Sequence, residues 1–174
     1  MLTRYPELKG RVKFLAFLVP SRTHIRQYQR YMDEIPQVTQ QTNNNHGSED
    51  WQHIVPFIEN NYILAIAGMN LYDILLVNTT IEGMNLVAKE GPVVNNRDGV
   101  LVLSHSSGVY KQLADGALSV SPTDNEGTME ALHQAITMSA KDRKDRAALM
   151  LESVCREDIN HWLYQQIHDI SSLI

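Results

Sequence analysis

Glu82-Gly83-Met84-Asn85-Leu86-Val87-Ala88-Lys89-Glu90 sets two carboxylates eight positions apart around a glycine and a short apolar run. The stretch follows a strongly apolar segment and reads as the opening of a helix over Gly83 to Val94. The first N–H groups of a helix have no partner inside it and lie at the positive end of its dipole. Gly83, Met84, Asn85, Leu86 and Val87 would therefore offer amide donors to an anion such as a diphosphate, with Gly83 admitting the ligand close to the main chain. At helical rise Glu82 and Glu90 would stand roughly 12 Å apart along the axis. That suits a hydroxyl-rich ring at each end of a diphosphate, since a carboxylate accepts hydrogen bonds from a pair of hydroxyls. Residue types alone leave a plainer reading equally open, with Glu82 a cap and Glu90 a solvated helix residue.

The elements that would position this stretch alternate between strand and helix. Val12 to Val19 (VKFLAFLV) is almost continuously apolar and stops at Pro20, the pattern of a strand covered on both faces. Ser21 is placed to cap a helix from Thr23 to about Met32. Thr39 to Asp50 is polar and reads as a surface loop. Ile54 to Ile58 reads as a strand and Tyr62 to Met69 as a short buried helix. Asp73 to Thr79, Gly99 to Ser104 and Ala117 to Val120 read as further strands. Helices are expected over Asn125 to Met138, Lys141 to Arg156 and Asp158 to Ile174. Alternation of this kind predicts a parallel sheet with helices on both faces, its central strands Val12–Val19, Asp73–Thr79 and Gly99–Ser104. Ligands in such sheets bind beyond the carboxyl ends of the strands. That directs attention to Pro20-Ser21-Arg22, to Thr79 through Gly83, and to Ser104-His105-Ser106-Ser107-Gly108.

These same residues resemble the trehalose-6-phosphate synthase family of retaining two-domain glycosyltransferases, which includes glucosylglycerol-phosphate synthases. The resemblance is carried by EGMNLVAKE followed by Gly99-Val100-Leu101-Val102-Leu103-Ser104. Val19-Pro20-Ser21-Arg22 with Tyr28-Gln29, and Glu157-Asp158-Ile159-Asn160-His161-Trp162, add to it in the same order. It implies an α/β, Rossmann-like fold, the C-terminal, sugar-nucleotide-binding half of a GT-B-type enzyme, taken as one partial domain over 1–174. By position it implies that Glu82 binds hydroxyls of the donor glucose. The amides of Gly83, Met84, Asn85, Leu86 and Val87 would meet sugar and diphosphate, Glu90 would hold the ribose, and Arg22 would contact the acceptor's phosphate. A surface ion pair is the alternative for Arg22. Two positions depart from the family pattern: Glu82 stands for the usual Asp, and Asn78-Thr79-Thr80-Ile81 for the usual Thr-Pro-Leu-Arg.

The resemblance further implies that catalytic side chains belong to an N-terminal domain outside this chain. The first strand of the present domain, with an RLDYSKG-like basic pair, would lie outside it as well. The implied function is transfer of glucose from UDP-glucose or GDP-glucose to a phosphorylated acceptor, with the isolated chain inactive. A non-catalytic sugar-nucleotide-binding or regulatory domain is the alternative. Expected partners are the nucleotide-sugar donor, the sugar-phosphate acceptor, and either a second copy or a companion N-terminal domain.

Composition narrows the remaining classes. The chain has 174 residues, 43% hydrophobic and 20% charged, with a formal net charge of -5. An acidic balance argues against a nucleic-acid partner. The single cysteine, Cys155, forms no internal disulfide and reads as a packing residue. The seven histidines show no metal-ligand spacing. No signal-like or membrane-spanning apolar run is present, so no membrane partner, no metal, no cofactor besides the substrate nucleotide and a cytoplasmic location are expected. The Ser104–Gly108 segment lacks a nucleophile elbow and reads as a loop beside the donor. Trp162 is expected to anchor the last helix to the domain.

Overall fold

The computed structural model describes residues 1–173. The chain divides into two compact units, Met1–Gly68 and Met69–Ile174.

In the first unit, strand β1 (Phe14–Leu18) and helix α1 (Arg26–His46) lead to strand β2 (Ile54–Ile58) and into helix α2 (Tyr62–Leu71), where the unit ends. β1 and β2 pair in parallel, Phe14 opposite Ile54 and Leu18 opposite Ile58, with the Phe17 and Phe57 rings stacked at 5.1 Å. The predicted Thr39–Asp50 loop is helical as far as His46. Its polarity has a use there. Asn43 on the last turn of α1 accepts from Ile54 N–H at 2.9 Å and donates to Ile54 carbonyl at 2.8 Å, standing in for a neighbouring strand. Composition cannot separate that from a loop. The start also differs: α1 begins at Arg26 with no side-chain cap, so Ser21 does not cap it.

The second unit runs β3 (Ile74–Val77), α3 (Leu86–Val94), β4 (Val100–Ser104), α4 (Tyr110–Leu113), β5 (Leu118–Val120), α5 (Asn125–Thr137), α6 (Ala140–Arg156) and α7 (Ile159–Ser171). Its sheet has the order β3-β4-β5, all parallel. β4 is buried throughout, and its alternation sorts the core into two layers. Leu101 and Leu103 pack with Ala88 of α3, Leu113 of α4 and Met150 of α6. Val100 and Val102 face the other way, against Ala131 and Ala135 of α5. Helices thus cover both faces of this sheet, as the continuous apolar run demands.

One expectation about the sheet is corrected. Among the described residues β1 pairs with β2 in a two-stranded sheet, while β3 and β4 belong to the three-stranded one. Nor is β1 covered on both faces, since Phe14 and Leu15 are nearly half exposed. α2 is likewise not buried: only Met69 is, while Ile63 is 82% exposed.

Helix α6 turns Met150 to the core, and Val154 packs against the same cluster. Met150 and Ser153 are its buried residues, while Leu151 and Ala148 are exposed. Arg146 joins that inward side and donates to the Gly116 and Ala117 carbonyls at 3.3 and 3.1 Å. Ser153 Oγ donates to the Gln112 carbonyl at 2.9 Å. Polar groups that satisfy main-chain carbonyls ahead of β5 thus share the inward side with Met150 and Val154. Cys155, two positions past Ser153 and so on the far side of the helix, is exposed rather than packed. Trp162 is 57% exposed and does not anchor α7. Among the described residues no helix is long and apolar enough to cross a membrane.

Candidate functional site at the carboxyl ends of the second sheet

β3 ends at Val77 and α3 begins at Leu86, so the chain from Asn78 to Asn85 forms the crest above the strand. Helix α3 starts three residues later than expected. Asn85 is its N-cap, in extended conformation, and its Oδ1 accepts from Ala88 N–H at 2.8 Å. Gly83, Met84 and Asn85 thus precede the helix, and the first-turn donors are the N–H groups of Leu86 and Val87. Helical rise does not apply between Glu82 and Asn85, so it does not set the separation of Glu82 and Glu90. The propensities of Gly, Met and Asn could not reveal the boundary, because an asparagine reads equally as a first-turn residue or a cap.

The crest is tied to the segment that follows β4. Glu82 forms a parallel bridge with Ser107, and the Glu82 carbonyl accepts from Gly108 N–H at 2.9 Å. Gly108 is required there by space, because a Cβ on it would fall inside the Gly83 carbonyl group. Around Gly83 itself the same test meets nothing. The Ser104–Gly108 segment, expected as a loop beside the site, is its second wall. It begins where Ser107 N–H bonds the Ser104 carbonyl and His105 N–H bonds Val120 on β5.

Glu82 is half-buried. Its Oε2 accepts from Asn85 Nδ2 at 2.8 Å. Glu90, also half-buried, has no hydrogen-bond or ion-pair partner among the described residues. Met84, Leu86 and Val87 are exposed at 56%, 61% and 41%, an apolar rim around the open amides. A recess of about 420 Å³ lies alongside, lined by Gly83, Met84, Lys89, Gly108, Lys111 and Gln112 among others. Glu82, Leu86, Val87 and Glu90 are not in its lining. The two lysines were not picked out from the sequence. Lys89 sits inside the motif, but Lys111 reaches the recess only through the fold of the α4 segment.

Arg22 belongs to the first unit, on the turn after β1. Its φ of 50° is left-handed, uncommon for a side chain larger than glycine. Nη1 donates to the Tyr28 hydroxyl at 2.6 Å, and the guanidinium lies 5.3 Å from the centre of the Tyr28 ring. Arg22 is therefore held by an aromatic partner rather than a carboxylate, which sets aside the surface ion pair. Among the described residues no group of His, Cys, Asp and Glu could hold a metal ion.

The model of glycosyltransferase family 20 matches residues 1–172. The bifunctional trehalose-6-phosphate synthase/phosphatase of Thermoproteus tenax is 35% identical over 176 residues, covering 98% of this chain and 24% of that protein. The E. coli trehalose-6-phosphate protein bound with UDP-2-fluoro glucose superposes with a TM-score of 0.93 at 31% identity, over 99% of this chain and 39% of that one. An alpha,alpha-trehalose-phosphate synthase (UDP-forming) from Burkholderia xenovorans in complex with glucose-6-phosphate gives a TM-score of 0.91 at 28% identity. It covers 98% of this chain and 38% of that one. The chain thus spans about a quarter to two fifths of the length of these relatives.

Proposed function

The chain belongs to glycosyltransferase family 20, and on that premise we propose that its second unit is the donor half of a hexosyl transfer from UDP-glucose to a sugar phosphate. One observation carries the reading: the capped start of α3 leaves the Leu86 and Val87 N–H groups open, with Glu82 before them and an unpartnered Glu90 one turn beyond. Amide donors of a fixed helix start hold a diphosphate without reorganising. As the glycosidic bond breaks, negative charge grows on that diphosphate, so donors placed there favour the transition state more than the ground state. Lys89 and Lys111 add positive charge from the adjoining recess. Glu90 holds the ribose and Glu82 the glucose. Arg22, pre-set against Tyr28, takes the acceptor's phosphate, a group for which a guanidinium is well shaped.

Binding of UDP to the wild-type chain and to Glu90→Gln tests the donor reading. A charge-assisted hydrogen bond contributes about 1.5–3 kcal/mol when desolvated. On this open surface water competes, so the pair is expected to be worth about 1–2 kcal/mol, roughly a tenfold loss of affinity in the variant. Ligand-observed NMR in the millimolar range suits the affinity of an exposed site. Equal binding by the two proteins would remove the ribose assignment. GDP in a parallel titration identifies the base, and failure of both nucleotides would leave no donor site in this chain.

A further inference from the structure

Asn85 uses both ends of its side-chain amide. Oδ1 caps α3 through Ala88 N–H at 2.8 Å, and Nδ2 donates to Glu82 Oε2, also at 2.8 Å. Capping needs only an acceptor, and aspartate or serine supplies one as well as asparagine does. The donor directed at Glu82 is what asparagine adds. Glu82 is held at its main chain too, by Gly108 N–H on its carbonyl and by the bridge to Ser107. A glutamate has three side-chain torsions, and a free one would sample many positions of its carboxylate. Here one oxygen is tied to the helix cap, while Oε1 has no partner among the described residues.

We propose that Asn85 is a positioning residue for Glu82. It locks Oε2 against the start of α3 and leaves Oε1 to accept a hydroxyl of the donor's hexose, so that preference for the nucleotide sugar over the bare nucleotide runs through the Asn85 side chain. The extra methylene of Glu82 belongs to this arrangement, since the longer side chain folds back over the turn to reach Asn85. The proposal rests on the donor-site reading above, and it concerns preorganisation: a carboxylate already fixed loses less freedom when the sugar arrives.

The experiment compares UDP and UDP-glucose binding by the wild-type chain, Asn85→Ser, Glu82→Ala and the double variant. Serine keeps the cap, so the thermal midpoint of Asn85→Ser stays near wild type. UDP affinity, measured in all four proteins, is the reference from which the preference is taken. The preference for UDP-glucose over UDP is expected to fall about tenfold in each single variant and no further in the double variant, as for two groups acting through one contact. Should the serine variant fold poorly, Asn85→Asp keeps the cap and places a carboxylate against Glu82, and the same loss of preference is expected. Full preference in Asn85→Ser, additive losses in the double variant, or equal loss of UDP and UDP-glucose would each overturn the proposal. If the wild-type chain binds UDP with no preference for UDP-glucose, the proposal fails while the nucleotide site stands. If it binds neither, the donor reading itself has failed.

Discussion

Gly108→Ala is expected to lower stability by roughly 3 kcal/mol, about 1 kcal/mol from the lost hydrogen bond and the rest from steric displacement. A Cβ at 108 would overlap the Gly83 carbonyl, which is main chain and cannot rotate away. The only relief is separation of the two crests, and that breaks the Gly108 N–H bond to the Glu82 carbonyl. Thermal unfolding should shift down by roughly 10 °C for a unit of this size. UDP binding should be lost in the protein that remains folded, because the crest carrying Glu82 and Gly83 has moved. Gly83→Ala is the contrasting substitution. Nothing stands within 4 Å of its added Cβ, so stability should hold within about 0.5 kcal/mol. Binding should nevertheless fall, because the methyl group occupies the space through which a ligand reaches the main chain. An unchanged midpoint for Gly108→Ala would mean that the two crests are not joined as described.

The contrast between these two glycines shows what could be read in advance and what could not. Sequence pattern pointed to Gly83 as open main chain ahead of a helix, and nothing stands within 4 Å of a Cβ placed there. Gly108 stood in a serine-rich segment with no local signal, and its necessity comes from the Glu82-Gly83 main chain, distant in sequence. The second sheet was legible for a related reason. A run such as Val100–Ser104, apolar at nearly every position, can satisfy both faces only by being covered on both, and it is wholly buried. The run around β1 has the same composition and a different fate, with Phe14 and Leu15 nearly half exposed. Apolar character states what a strand tolerates, and the topology decides what covers it. The α1 error has another origin: Asn43 is a poor helix former by propensity, and its two hydrogen bonds to Ile54 outweigh a preference worth only about 0.7 kcal/mol. At the site, residue types named Glu82 and Glu90 as a pair of interest. They could not show that one carboxylate is tethered and the other free, because that depends on where the helix begins.

Asn95→Ala is expected to destabilise the second unit by roughly 3 kcal/mol, at about 1 kcal/mol for each of four hydrogen bonds less what water recovers. Asn95 ends α3, and its Nδ2 donates to the Tyr72 carbonyl at 2.9 Å and the Met69 carbonyl at 3.1 Å. Its Oδ1 accepts from Gly99 N–H at 2.9 Å and Arg97 N–H at 3.0 Å. Three segments meet at this one amide: the end of α2, the end of α3 and the entry to β4. The Tyr72 hydroxyl is buried without a hydrogen bond, and burial pushes its phenol above the ordinary value, so it stays protonated. Arg97 N–H is exposed and water can replace its bond, whereas Gly99 is buried and its N–H would be stranded. Asn95→Asp separates the two ends of the amide. It keeps an acceptor for Gly99 and Arg97 but sets a carboxylate oxygen against two carbonyls. The introduced carboxylate would bind its proton more tightly folded than unfolded. The variant should therefore lose stability as pH rises from acid toward neutral, opposite in sign to an ordinary paired carboxylate. Asn96→Ala, one position on and exposed, should change stability by no more than about 0.5 kcal/mol. Chemical denaturation of the three variants at pH 7, and of Asn95→Asp also in mild acid, checks the set. Equal stability of Asn95→Ala and Asn96→Ala would show that the junction is held by packing rather than by the amide.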